Sequence, residues 1–362
     1  MPTLALDRIF FDARFIRWDH HDGISRFSAG LAAALAAKVN VIALISDPRQ
    51  LDSLPKGIDF RLIHAPTSAF EPFTALKLNR LSAEVVFSPM QTIGSFGRKF
   101  KLVLTLHDLI YYRHPAPPPS MTLPVRIGWR LFHISYGPQR WLLNAADAVA
   151  TVSRTTADLI SEHRLTKRPV QVVYNAAGSQ NLQVANRAMP AGEKNLIYMG
   201  SFMGYKNVET LIRGLALLPE HKLHLLSRIT PKRKAELTRL AAENIDRVVF
   251  HNGVTDEEYS ELLANAFALV SASFDEGFGI PLAEAMSHGT PVVVSDMPIF
   301  HEIAGGAGTY FTAADAAGFA ASIRSIEPEA EWLLKSRAGL AQVERFNWDK
   351  SADALLELLE QI

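Results

Sequence analysis

The sequence predicts an α/β protein of two doubly wound, Rossmann-like domains facing across a cleft. Three observations carry that reading. Two separate series of short apolar runs alternate with helical patterns, the sequence form of a parallel sheet with crossover helices. A polar stretch at residues 176–194, containing Gly, Ser, Asn and Pro, parts the two series. A length of 362 residues, 48% of them hydrophobic, suffices for two sizeable cores.

In the first series, residues 4–11, 39–46, 60–64, 85–88, 101–106, 148–152 and 170–174 read as strands. The second series runs 195–200, 222–226, 248–251, 267–271, 291–295 and 309–311, again with helices between. The expected division is therefore 1–176, 177–345 and a closing segment 346–362, with residues 351–362 forming an amphipathic helix. Sheets of this kind bind ligands at the carboxyl ends of their strands, so the loops that follow the runs are where function is sought.

Composition narrows the class. Zero cysteines exclude disulfides and thiolate metal sites and suit a reducing compartment. Asp7 and Arg8 precede any long apolar run, and Lys38 interrupts the alanine-rich stretch 29–37, so neither a signal peptide nor a spanning helix is expected and the cytoplasm is the expected location. Equal numbers of basic and acidic residues, 37 of each, give no ground for a nucleic-acid partner. That neutrality hides an asymmetry, because residues 1–176 carry an excess of positive charge and residues 177–362 an equal excess of negative charge. Either the basic half faces an anionic acceptor or membrane surface, or the two halves attract each other.

The richest segment is Phe274-Asp275-Glu276-Gly277-Phe278-Gly279-Ile280-Pro281-Leu282-Ala283-Glu284. An apolar run precedes it, and Pro281 suits the first turn of a helix, whose early N–H groups lack intrahelical partners. Gly277 and Gly279 let backbone approach a ligand, and the helix start at Phe278, Gly279 and Ile280 favours an anion such as a diphosphate. Glu276 before the helix and Glu284 one turn inside it reach opposite ends of an extended ligand, each accepting hydrogen bonds from hydroxyls.

Other loops add candidates. Asp22-Gly23-Ile24-Ser25-Arg26 opens a second helix start, while the adjacent Asp19-His20-His21-Asp22 lacks metal-ligand spacing and reads as a solvated loop. His107 and Asp108 end a strand, where the histidine either meets a ligand or satisfies loop backbone. Lys206, in the loop 200–207, is a mobile cation for phosphate oxygens, and Arg228 ends the neighbouring strand at the same sheet edge. Residues 255–258 start another helix with Thr255 or Asp256 as cap. His288 and His301 read as structural. Residues 124–141 interleave Arg126, Arg130 and Arg140 with Trp129, Phe132, Tyr136 and Trp141, which either pack on a neighbouring element or insert in an anionic bilayer.

These motifs resemble the family 4 retaining glycosyltransferases, which share the GT-B fold and a Glu-x7-Glu signature in an EGFG…EAM segment followed by G-T-P-V-V. Here the signature is Glu276…Glu284 and the tail Gly289-Thr290-Pro291-Val292-Val293; the resemblance runs from Asp12-Ala13-Arg14 and Gly23-Ile24-Ser25-Arg26 to Phe346-Asn347-Trp348. The resemblance implies that Glu276 contacts the donor sugar and Glu284 the ribose. It implies that Gly23 approaches the donor phosphates, that His107 in the H-D-L run sits beside the donor sugar, and that Val254 lies near the base. Arg26 and Asp108 fall on the acceptor side. It further implies front-face attack, no required divalent metal or other cofactor, and a C-terminal helix that crosses back to the first domain. One position departs: Ser201 stands where the family's G-R-x-x-x-x-K-N carries arginine, and Arg228 is the candidate replacement.

The expected function is transfer of a hexose, mannose favoured, from a nucleotide diphosphate sugar to a hydroxyl of a glycan or lipid-linked acceptor. The rival readings are a UDP-glucose-type glucosyltransferase, a nucleotide-sugar epimerase of the same fold and a non-catalytic sugar-nucleotide-binding scaffold. Peripheral contact with an anionic membrane at the inner face of the plasma membrane fits the basic first half.

Overall fold

The computed structural model describes residues 8–18, 22–117, 122–177 and 187–362. The chain divides into two compact units, Met1–Ala176 with Phe346–Ile362, and Ala177–Arg345.

The first unit holds strands β1 (Ile9–Asp12), β2 (Val41–Ile45), β3 (Asp59–Leu62), β4 (Val85–Ser88), β5 (Lys101–Leu106), β6 (Ala148–Thr151) and β7 (Val170–Val172). They form one sheet in the order β3-β2-β1-β4-β5-β6-β7, and every pairing is parallel. The chain winds outward from β1 in one direction and from β4 in the other, so the order reverses between those two strands. Around the sheet lie α1 (Gly23–Ala36), α2 (Thr74–Arg80), α3 (Ile110–Arg113), α4 (Leu123–His133), α5 (Gly137–Asn144) and α6 (Arg154–Glu162). Strands β1, β2, β4 and β6 are buried at every residue, as expected where helices cover both faces. β3 is exposed throughout, and its Asp59 and Arg61 keep this edge soluble.

The second unit holds β8 (Lys194–Tyr198), β9 (His221–Leu225), β10 (Val248–Phe250), β11 (Ala268–Ser271), β12 (Val292–Ser295) and β13 (Gly308–Phe311). Their order is β10-β9-β8-β11-β12-β13, again all parallel, with the reversal between β8 and β11. Helices α7 (Val208–Leu215), α8 (Pro231–Ala241), α9 (Asp256–Asn265), α10 (Ile280–Ser287), α11 (Pro298–Ala304), α12 (Ala316–Ser325) and α13 (Glu329–Val343) complete it. Thr255, rather than Asp256, caps α9, in a reciprocal box with Glu258. Trp332 is fully buried and its indole N–H donates to the Phe267 carbonyl at 2.8 Å, so the largest core side chain leaves no orphan donor. Arg187 is also largely buried: it donates to the carbonyls of Leu263, Ala266 and His288, and burial lowers its pKa to about 10.

A last helix, α14 (Trp348–Glu360), packs on α1 and β7 of the first unit. It starts three residues before the reading from periodicity, because Asn347 caps it by accepting the Lys350 N–H at 2.9 Å. Gly30 of α1 has no room for a side chain; a methyl there would overlap the indole of Trp348. Ser351 Oγ donates to the Tyr174 carbonyl at 2.7 Å. Among the described residues no helix is long and apolar enough to cross a membrane.

Candidate functional site

In an open doubly wound sheet, ligands bind outside the carboxyl ends of the strands where the strand order reverses. In the second unit that point lies between β8 and β11, and the loops that leave these strands carry Lys206 and Glu276. Seventy positions apart in sequence, their side chains meet with Lys206 Nζ 2.5 Å from Glu276 Oε1, both largely shielded from water. Ser273 Oγ donates to the same carboxylate oxygen at 3.0 Å. The two loops are tied by a backbone bond from Phe274 N–H to the Tyr205 carbonyl, 2.8 Å. Asn207 secures them further: it adopts a left-handed backbone, φ 50°, and its amide donates to the carbonyls of Ala272 and Ala313 at 3.0 and 2.6 Å. The pair therefore sits on a hydrogen-bonded frame rather than on two free loops.

Helix α10 begins beside it. Gly279 precedes the first helical residue with φ 92° and ψ 53°, a left-handed conformation that turns the chain sharply into the helix. No side chain caps this end; Pro281 has no N–H and the Leu282 N–H donates to the Gly279 carbonyl at 2.9 Å, and the helix dipole favours an anion beside this start. Pro281 lies in the first turn, as expected. Phe278 is buried and anchors the turn. Glu284 lies in the second turn and is buried. His288 closes the helix, with Nδ1 bonding the Glu284 carbonyl and Nε2 the Ser260 hydroxyl, each at 2.8 Å, a structural role. His301 is half exposed, pairs with Asp296 at 2.7 Å and stacks on Tyr310.

Arg228 follows β9, the neighbour of β8, and is exposed; its side chain makes no hydrogen bond or ion pair among the described residues. Its stem lies against Gly253, where even a methyl would come within 3.1 Å of Arg228 Cγ. Ser201 is exposed, and its carbonyl accepts the Tyr198 hydroxyl at 2.7 Å. Val254 lines an open groove of about 310 Å3 with His251, Glu258, Glu261, Leu262 and Asn265.

In the first unit the sequence candidates gather at the corresponding edge. Gly23 is the first residue of α1, exposed, with Asp22 capping the helix by accepting the Ser25 N–H at 2.9 Å. Asp22 also pairs with Arg17 at 2.8 Å; Asp19, His20 and His21 of the same loop lie outside the described residues. Among the described residues no group of three His, Cys, Asp or Glu side chains is placed to hold a metal ion. Arg26 lies in the first turn of α1, half-buried. His107 follows β5, its ring edge-on to Phe27 at 5.1 Å. Its Nε2 lies 2.7 Å from the Pro89 carbonyl, which can only accept, so this nitrogen carries the proton and Nδ1 keeps its lone pair. Burial lowers its pKa and keeps the ring neutral. Asp108 accepts the Ile110 N–H at 3.0 Å.

One buried network at this edge escaped sequence reasoning. Arg14, fully buried, donates to both oxygens of buried Asp12 at 2.7 and 2.9 Å and to both oxygens of Glu71 at 2.6 and 3.1 Å. Burial opposes the charge, but the two carboxylates outweigh it and raise the pKa. Glu71 also accepts the Gly94 N–H at 3.1 Å, which locks the loops after β1, β3 and β4 together. A separation of 57 residues leaves no local signal for the Arg14–Glu71 pair.

The arginine- and aromatic-rich segment divides by face. Trp129 and His133 of α4 turn inward onto Tyr111 and Tyr112, and Tyr136 stacks on His163. The outward stripe is aliphatic: Leu123, Ile127, Leu131 and Ile134, spaced as one helix face, are all exposed, with Trp141 of α5 74% exposed. The 38 residues 109–146 contain four arginines and no Asp or Glu. Arg140 bonds the carbonyls of His163 and Arg164, which brings the basic turn Arg164-Leu165-Thr166-Lys167-Arg168 to the same surface.

Comparison with known proteins finds likeness in sequence and in fold. The family described as Glycosyltransferase Family 4 matches residues 21–177, and that described as Glycosyl transferases group 1 matches residues 193–327. The chain is 29% identical over 182 residues to the O-antigen chain mannosyltransferase RfbU of Salmonella typhimurium, covering 49% of this chain and 50% of that protein. It is 27% identical over 260 residues to O-antigen chain mannosyltransferase B of Escherichia coli, covering 69% and 67%. The match thus spans half the length of the first relative and about two thirds of the second. Among solved structures, the sucrose-phosphate synthase of Thermosynechococcus elongatus superposes with a TM-score of 0.71 at 20% identity over 98% of both chains, a likeness of GT-B fold.

Proposed function

The chain belongs to the family 4, group 1 glycosyl transferases, and from that premise we propose that it moves a hexose, mannose in preference, from a nucleoside diphosphate sugar to a hydroxyl of a glycan or lipid-linked acceptor, with the anomeric configuration retained. The single observation that carries the reading is the Lys206–Glu276 pair at the reversal point of the second sheet, beside the uncapped start of α10. A cation, a carboxylate and a helix start at one sheet edge match a ligand with two phosphates and a hydroxylated ring.

In this reading the diphosphate takes Lys206, Arg228 and the N–H groups of residues 278–280, which hold the negative charge that develops on the leaving group. Glu276, released from Lys206, accepts hydrogen bonds from sugar hydroxyls and opposes the positive charge on the ring. Glu284 holds the ribose and Val254 lies near the base. Gly23 of the first unit lets backbone approach the phosphates, His107 meets the sugar, and Arg26 and Asp108 serve the acceptor. No protein nucleophile is assigned; the leaving phosphate accepts the proton of the incoming hydroxyl, and the cationic side chains do the work of a divalent metal. A lipid-linked acceptor would be met at an anionic bilayer, where the aliphatic stripe of α4 enters the headgroup boundary and the arginines beside it reach phosphates.

The test is the thermal midpoint of the protein against GDP, UDP, ADP and their sugar conjugates, since a ligand that binds only the folded state raises it. A selective rise with GDP and GDP-mannose, insensitive to a chelator, supports the reading. No rise with any nucleotide overturns it.

A further inference from the structure

At the carboxyl end of β5 the first unit contains a cavity of about 110 Å3 lined by Ile24, His107, Asp108, Tyr112, His133 and Gln139. Gln139, in the first turn of α5, is fully buried, yet neither its Oε1 nor its Nε2 has a hydrogen-bond partner among the described residues. The buried hydroxyl of Tyr112 is likewise without one. Buried polar atoms in native proteins are nearly always satisfied, because a dry one loses its hydration for nothing. Three such atoms belong to two residues that line one small cavity, which points to a polar guest.

The chemistry of the walls selects the guest. A primary amide presents one acceptor and two donors side by side, so it pairs with two adjacent hydroxyls, one donating to Oε1 and the other accepting from Nε2. The Tyr112 hydroxyl serves in either direction. His107 and His133 are both held neutral by burial, and Asp108 is the acid of the wall, so the cavity offers no fixed cation and does not suit a phosphate. The ring of Tyr112 and the side chain of Ile24 supply apolar surface for C–H faces. We infer that this recess binds a vicinal diol on the acceptor sugar, with Gln139 as the group that reads it. The inference rests on the proposed transferase reading and names a residue that the sequence motifs do not mark. The size fits one hydroxylated edge of a ring rather than a whole nucleotide.

The experiment uses the full chain with methyl α-D-mannopyranoside as probe, observed by saturation-transfer NMR, beside the thermal shift with GDP. The expected result is transfer to ring protons next to the hydroxyl pair, and a loss of about tenfold in glycoside affinity in Gln139→Leu, the size of two neutral hydrogen bonds. Tyr112→Phe removes a single hydroxyl, keeps the ring and is expected to weaken the glycoside by a smaller factor. Both variants keep the GDP shift. Unchanged glycoside binding in both folded variants, or no glycoside signal from a wild-type chain that binds GDP, overturns the recess and leaves ordered water as its occupant. A glycoside signal with no nucleotide shift supports the recess and counts against the transferase reading.

Discussion

Replacing either member of the Lys206–Glu276 pair separates their roles. The lysine charge is held by the carboxylate, 2.5 Å away, with about 15% and 14% of the two side chains exposed. A diphosphate must draw Lys206 off Glu276 before binding it. Lys206→Met removes a charge-assisted hydrogen bond to phosphate of about 1.5–3 kcal/mol, which corresponds to roughly 10- to 150-fold in Kd for GDP. Glu276→Gln works the other way: it frees the lysine and removes a negative charge from the phosphate site, so GDP binding stays the same or tightens by up to about tenfold. The same variant loses the acid that faces the sugar, and transfer falls by roughly 10²–10³-fold, the usual effect of removing one group that meets developing charge. Calorimetric titration with GDP and a product assay with sugar nucleotide measure the two quantities separately. If Glu276→Gln weakened GDP as strongly as Lys206→Met, the carboxylate would be holding the nucleotide or the fold, and the division of labour proposed for the pair would be wrong.

Three further outcomes are expected. Gly279→Val forces a β-branched residue into a left-handed backbone with its Cβ 3.1 Å from Phe300; it costs about 2 kcal/mol or more in unfolding free energy and abolishes nucleotide binding, both read from one melting series with and without GDP. His224, half-buried beside His251, has its pKa lowered from 6.5 to about 4, first by desolvation and then by that neighbour. Below pH 6.5 the unfolded chain takes a proton that the folded one refuses, so stability falls from 6.5 toward 4 and is insensitive to this group above that range; denaturant titrations across the window show the slope, and His224→Asn reduces it. Ile127→Glu with Leu131→Glu abolishes flotation with phosphatidylglycerol vesicles while the GDP shift persists; equal flotation of the variant would show that the stripe is not the membrane contact.

The fold was legible because nearly every strand is a short apolar run with its own turn residues. The strands 85–88 and 101–106 coincide with β4 and β5, and the other runs differ from the observed strands by only a few residues at an end. The exception at the start is β1, which begins at Ile9 after a non-strand Arg8; residues 4–7 of that run lie outside the described part of the chain. Individual side chains at the second sheet edge were legible for a local reason: Lys206, Glu276 and Gly279 sit in loops whose glycines stand out. Their pairing was not, because contact between residues 70 apart depends on two loops meeting through Asn207 and Phe274. Nor did sequence distinguish the faces of α4. Its aromatics and its aliphatics both recur at helical spacing, and only packing against Tyr111 and Tyr112 decides which set turns inward. Gln139 carries no signal at all, since an isolated glutamine in a helix is ordinary until its surroundings prove dry.

The return of α14 to the first unit has a consequence for how the protein is made. The first unit takes its residues from both sides of the second, so a chain emerging from the ribosome exposes all of β8–β13 before Trp348 exists to fill the space above Gly30. The second unit can close its core during synthesis, whereas the first waits with an apolar face of α1 uncovered until the last helix arrives. That ordering leaves apolar surface of the first unit open to aggregation during synthesis, until Trp348 arrives to cover it.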